Sequence, residues 1–140
     1  MHPNLITSAQ KLLNSHHRFA TDDVLLQLPH MSSEELDTLP FGVIGLDDLG
    51  FVLQYNQYEC TLAQRTKEET LGKDFFQDVA PCTKSPIFSD LFFYGVQQND
   101  LRAFVSYLFN FRMDPTHVWI HMHRCPTTKT NWILIQKKES

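Results

Sequence analysis

Apolar positions along the chain change their spacing twice. Near the start, Leu5, Ile6, Ala9, Leu12 and Leu13 recur three or four apart, which predicts one face of a helix. Val24, Leu25 and Leu28 make a short second turn. Ser32-Ser33-Glu34-Glu35-Leu36 predicts a third helix, with serine as cap and the acids at its positive end. Pro29 and Pro40 separate these pieces. From Phe41 the pattern becomes that of strands. Residues 41–46 read as a short strand, Asp47-Asp48-Leu49-Gly50 as a turn, and residues 51–55 as the second arm of a hairpin. Residues 57–80 have polar breaks that suit short helices. Ser85-Pro86 predicts a helix start with serine as cap and proline in the first position. Phe88, Leu91, Phe92, Gly95 and Val96 then share one helical face up to Asn99. Three strands follow, at residues 101–111, 116–123 and 131–137. A hairpin, a helical stretch and a three-stranded meander predict an α+β domain with helices packed on one antiparallel sheet.

Composition divides the chain at about the same place. Residues 1–40 hold five acidic and two basic residues and one of the eleven Phe. Residues 41–140 hold the other ten, both Trp and all four Tyr. We read 1–40 as a helical extension and cap, and 41–140 as the core domain. With 140 residues, one domain is expected, and it is large enough to bury a core without staples. The net charge of −4 speaks against general binding to nucleic acid or an anionic membrane. Three cysteines do not suit a disulfide framework, no stretch reaches the roughly 20 apolar residues of a membrane span, and the start lacks a secretory pattern. A cytoplasmic protein is the expectation.

Few residues carry chemistry. Cys82, in Asp78-Val-Ala-Pro-Cys-Thr83, precedes the Ser85-Pro86 helix start, where the positive end of a helix favours the nucleophilic thiolate, and Pro81 fixes the backbone beside it. A buried cysteine acting as a small hydrophobe is the plainer alternative. Cys60 and Cys125 read as bystanders. Tyr55 and Glu59 lie four apart, at a strand end and a helix start, and reach one pocket if a helical turn begins near Asn56. An exposed glutamate and a half-buried tyrosine are the plainer alternative there. His117, His121 and His123 alternate on one strand face with Trp119, but no acid or cysteine is spaced to complete a metal site with them. Phosphate loops, His-Glu-x-x-His and Gly-x-Ser-x-Gly are absent.

Taken together, several segments resemble the photoactive yellow protein family. They are Phe41-Gly-Val-Ile-Gly-Leu-Asp, Leu53-Gln-Tyr-Asn56, Gly72-Lys-Asp-Phe-Phe, Asp78-Val-Ala-Pro-Cys-Thr83, Ser85-Pro-x-Phe88 and Phe109-x-Phe-x-Met-x-Pro-Thr116. The resemblance runs from about Leu28 to Lys137, and the run ending at Cys82-Thr83 is its most specific part. It implies a PAS fold, a central antiparallel five-stranded sheet flanked by helices with an N-terminal helical cap. It implies a blue-light receptor, not an enzyme, with 4-hydroxycinnamic acid (p-coumaric acid) held as a thioester on Cys82. Tyr55 and Glu59 fall on the family's phenolate-binding pair, Arg65 on its pocket-covering arginine, Phe109 on a pocket aromatic, and Met113 on the methionine that assists return to the dark state. Signalling is expected through trans–cis isomerisation, proton transfer from Glu59 and partial unfolding of the cap, read by an unidentified downstream protein. A monomer or weak homodimer is expected.

A buried phenol with a pKa of about 10 stays neutral at pH 7, so a phenolate there needs charge-assisted hydrogen bonds from donors such as Tyr55 and a protonated Glu59. The chain departs from the family pattern at Ala63, where a hydroxyl-bearing threonine stands. It departs also at Cys60 and Gln64, which replace glycines, and at Phe111, where tyrosine is common. These changes predict a shifted absorption band and a protonated chromophore fraction in the dark. The alternative reading is a PAS-fold ligand or protein-interaction domain without photochemistry. A flavin sensor would carry an Asn-Cys-Arg-Phe-like motif, and a haem sensor a histidine within residues 57–80; neither is present.

Overall fold

The computed structural model describes residues 19–110 and 115–138. The expected helix at Leu5–Leu13, Phe111 and Met113 lie outside the described residues. The order is α1 (Asp22–Gln27), α2 (Ser33–Leu36), β1 (Gly42–Leu46), β2 (Val52–Tyr55), α3 (Gln57–Ala63), α4 (Lys67–Thr70), α5 (Leu91–Gln97), β3 (Arg102–Asn110), β4 (Pro115–Cys125) and β5 (Thr130–Lys137). The five strands form one sheet in the order β2-β1-β5-β4-β3, every neighbouring pair antiparallel.

Local chemistry accounts for the element ends. Thr21 caps α1 through Val24 N. Ser32 and Glu35 form a reciprocal capping box on α2, with the Ser32 hydroxyl accepting from Glu35 N at 3.1 Å and the Glu35 carboxylate accepting from Ser32 N at 3.0 Å. The β1–β2 turn is organised by Asp47, whose Oδ1 accepts from Leu49 N and Phe51 N, and Gly50 takes the left-handed φ of 91° that the turn requires. The meander strands match the expected ones within a few residues, β4 being longer at its C-terminal end.

Ser85 departs from expectation. Pro86 does begin the next turn, but the Ser85 side chain caps nothing. Its hydroxyl pairs instead with the Tyr107 hydroxyl at 2.8 Å, and Ser85 N donates to Ser89 Oγ at 2.9 Å. A partner on β3 has drawn the side chain away from the local backbone. The first turn, Pro86–Asp90, is π-type before it passes into α5.

The sheet has two packed faces. Ile44, Ile133, Ile135, Ile120, Met122 and Val105 face α3, α5 and the connecting turns, together with Phe75, Phe76, Phe88 and Phe92. Phe88 is wholly buried, with ring partners Phe75, Phe76, Tyr107 and Phe109 at 5.3–6.1 Å. Each such ring contributes roughly 1.5–3 kcal/mol by leaving water. On the opposite face Val43, Trp132, Leu134 and Phe41 pack against Leu25, Leu28 and Leu36 of the N-terminal helical segment. His117, His121 and His123 share that outer face with Trp119, as their spacing predicts. It is a packing face: Phe104 stacks on Trp119 at 5.4 Å, Lys138 Nζ lies 4.1 Å from the Trp119 ring centroid, and His121 meets Phe104 edge-on. Among the described residues no helix is long and apolar enough to cross a membrane, and no group of three His, Cys, Asp or Glu could hold a metal ion.

Candidate functional site

Tyr55 ends β2 on the helix-facing side of the sheet, 2% exposed. Asn56 then leaves the strand in an extended conformation and caps α3, its Oδ1 accepting from Glu59 N at 3.1 Å. All the hydrogen-bonding capacity of this side chain is used. Oδ1 also accepts from Val43 N (2.9 Å), and Nδ2 donates to Leu36 O (2.9 Å) and Phe41 O (3.0 Å). An Asn-x-x-Glu start would ordinarily bring the glutamate back to the cap's own N–H. Here Asn56 N donates to Val43 O at 3.0 Å. The Glu59 carboxyl is therefore released from capping and turns into the core.

Glu59 is 1% exposed, and among the described residues its Oε1 meets no hydrogen-bond partner. Burial alone pushes its carboxyl up to about 8, so it is protonated at neutral pH. Burial, with the Glu59 charge next, also pushes the Tyr55 phenol up, so it stays a neutral donor. Helix α3 ends at Gln64, held in the left-handed region (φ 55°, ψ 50°), and Arg65 N closes the turn on Cys60 O at 3.0 Å. That reversal brings Arg65 to the cavity rim, 3.7 Å from Glu69. Cys60 is buried in α3, and burial pushes its thiol up.

Cys82 sits half-buried in a tight turn, Pro81–Thr83. The turn is pinned from both sides. Thr83 N and Oγ1 both donate to Ala80 O (2.9 and 2.6 Å), and the Tyr107 hydroxyl, from β3, donates to Cys82 O at 2.7 Å. A cavity of about 470 Å³ opens between this turn, α3 and β2. Tyr55, Glu59, Ala63, Arg65, Pro81, Cys82 and Phe109 all line it, with Phe75, Val79 and Ala80 completing the wall. Its size is that of a pocket for a small organic ligand. A thiol, two neutral oxygen donors and a cation thus line one cavity. Cys125 is half-buried at the end of β4, away from the lining.

The description of the PAS fold matches residues 31–135. Photoactive yellow protein from Rhodothalassium salexigens is 38% identical over 120 residues, covering 86% of this chain and 96% of that protein. The one from Halochromatium salexigens is 40% identical over 119 residues, covering 85% and 95%. The chain belongs to the photoactive yellow protein family. The crystal structure of the photoactive yellow protein domain of a sensor histidine kinase from Rhodospirillum centenum superposes with a TM-score of 0.77 at 36% identity, covering 81% of this chain and 99% of that one. The five-stranded PAS architecture and a place among light-sensing PAS photoreceptors follow from this membership.

Some residues that shape this cavity were not singled out by sequence. Tyr107 reads as one more strand aromatic, because its partner, Cys82 O, is 25 residues away. Gly42 reads as a strand glycine. Asn56 had a signal, the Asn-x-x-Glu spacing at a helix start, but that spacing does not foretell its bonds to Leu36 O and Phe41 O.

Proposed function

We propose that this protein is a blue-light receptor that holds a 4-hydroxycinnamoyl group as a thioester on Cys82. The observation that carries this reading is a buried, protonated carboxyl, Glu59, whose Oε1 meets no hydrogen-bond partner among the described residues and which lines the same cavity as the Cys82 thiol. A buried acid oxygen left unpaired is costly, and a phenolate ligand would satisfy it. The residues present fit the group. The Cys82 sulfur would displace the leaving group of an activated acyl donor and give up its proton to solvent. Cys82 N–H is the donor for the acyl carbonyl, and Tyr55 and Glu59 donate to the phenolate oxygen. Arg65 covers the cavity, Phe109, Pro81 and Ala63 wall it, and Met113 assists recovery.

When bound, the group supplies a double bond whose trans–cis isomerisation is driven by blue light. Glu59 would then pass its carboxyl proton to the phenolate oxygen and be left as a carboxylate in an apolar wall, which is unfavourable. Its strain reaches residues 19–40 through Asn56, which bonds both Glu59 N and Leu36 O. Loosening of that segment is the output, read by a signalling partner. We assign the chain to the cytoplasm as a monomer or weak homodimer without turnover chemistry.

The test adds activated 4-hydroxycinnamate to the purified chromophore-free protein, beside Cys82→Ala. A visible band that bleaches in blue light is expected for the parent alone. No band, or the same band on Cys82→Ala, would overturn the reading.

A further inference from the structure

Gly42 is the first residue of β1, paired with Ile135 of β5. Its backbone does not call for glycine, since the left-handed glycines of the described residues are Gly50 and Gly72. A strand interior ordinarily disfavours glycine, so the reason for it lies in space. A methyl group built on its Cα would overlap Glu59 Oε1, with the carboxyl carbon 3.2 Å and Glu59 Cβ 3.4 Å away. The carboxyl thus lies where a side chain at position 42 would be. The other strand glycine, Gly45, is crowded by Trp132 and Gln54 instead.

We propose that Gly42 is a positioning residue: the space left by its missing side chain is the socket that seats the Glu59 carboxyl against β1. The socket stands on the geometry alone, whereas its use, fixing where Glu59 offers its proton to a phenol-bearing ligand, rests on the function proposed above. Any side chain at position 42 drives the carboxyl off the strand and further into the cavity that Glu59 already lines. The titratable and charged groups there are Tyr55 from β2, Arg65 from the turn after α3 and Cys82 from its own turn. Cys60 follows on α3, and Glu69 pairs with Arg65. The neighbouring strand positions on that side, Ile44, Ile133 and Ile135, are apolar.

The experiment compares Gly42→Ala, Gly45→Ala, Glu59→Ala and the double variant Gly42→Ala/Glu59→Ala. In the chromophore-free protein, the infrared carbonyl band of the buried acid is followed against pH. Gly42→Ala is expected to lower its midpoint by about one unit or more, because the displaced carboxyl gains water in the cavity. Gly45→Ala, on the other sheet face, leaves the midpoint in place. An unchanged midpoint in folded Gly42→Ala overturns the proposal. After loading with activated 4-hydroxycinnamate, Gly42→Ala shifts the visible band, whereas adding it to Glu59→Ala shifts nothing further. A shift of equal size in the Glu59→Ala background overturns the proposal, since position 42 would then act through another group. If the parent does not load, the functional reading fails while the titration still decides the socket. If Gly42→Ala does not fold, recovery of folding in the double variant supports the overlap, and failure of both overturns it.

Discussion

Replacing Glu59 with glutamine removes one titratable group from the interior and keeps its shape. The structure fixes what that should do to stability. The carboxyl is fully buried, and burial holds it at about 8 against an ordinary value of 4.5. At about 1.4 kcal/mol per pH unit, that gap corresponds to about 5 kcal/mol. Between pH 4.5 and 8 the unfolded chain has released this proton while the folded chain keeps it. Rising pH therefore favours the unfolded state. The contribution of protonated Glu59 is complete below pH 4.5, is lost progressively up to about pH 8, and changes no further above it. Glutamine has no such dependence, and the other titrating groups are common to both proteins. Urea unfolding of the chromophore-free proteins at pH 5, 6.5 and 8 reads the difference directly. The parent should lose several kcal/mol relative to Glu59→Gln across that range. A difference that stays constant, or grows in the parent's favour, would refute the argument. A domain is stable by only about 5–15 kcal/mol. An ionised Glu59 carboxylate in this buried position therefore draws on a large share of it, which is the scale that the proposed unfolding would need.

Two further outcomes follow from the bonds between the site and the N-terminal segment. Asn56→Ala removes four buried hydrogen bonds, one of them the cap of α3. It should cost about 3 kcal/mol or more in urea unfolding, and a loss below about 1 kcal/mol would show that Asn56 is not the joint it is taken for. Lys67→Met removes the bond pair to Asp37 (2.8 and 3.0 Å), which is about a quarter to a third exposed and ties α2 to α4. About 1 kcal/mol should be lost at low salt and much less at 1 M salt, with an equal loss at both pointing to packing instead of charge.

The Asn56 and Asp37 bonds also give the proposed signal a route. Asp37 caps the end of α2 and accepts from Gln57 N at 2.7 Å and from Lys67. Leu36 O and Phe41 O bond Asn56. The segment that covers the outer sheet face is thus fastened to the first turn of the helix that carries Glu59. A displacement of that turn has to break or drag these bonds, so the proposed loss of the Glu59 proton would be felt on the far side of the sheet by this route.

Sequence by itself determined whatever is local. The capping box at Ser32 and Glu35, the Asp47 turn with Gly50, the hairpin and the meander all follow from residues a few positions apart, because a cap or a tight turn is complete within one turn of chain. The run Asp78–Thr83 marked Cys82 through its resemblance to a known family, whereas the four-residue spacing of Tyr55 and Glu59 left a shared pocket and an exposed glutamate both open. Tertiary structure decided the rest. Glu59 could have been an exposed helix-start acid; it is buried because Val43 O, thirteen residues back, takes the Asn56 N–H and Gly42 leaves room for the carboxyl. Ser85 could have capped its own helix; Tyr107, 22 residues on, draws it away and pins Cys82 O as well. Such outcomes depend on which strand lies beside which turn. No local pattern carries that information, because packing between distant segments chooses among partners that are chemically equivalent when the chain is extended.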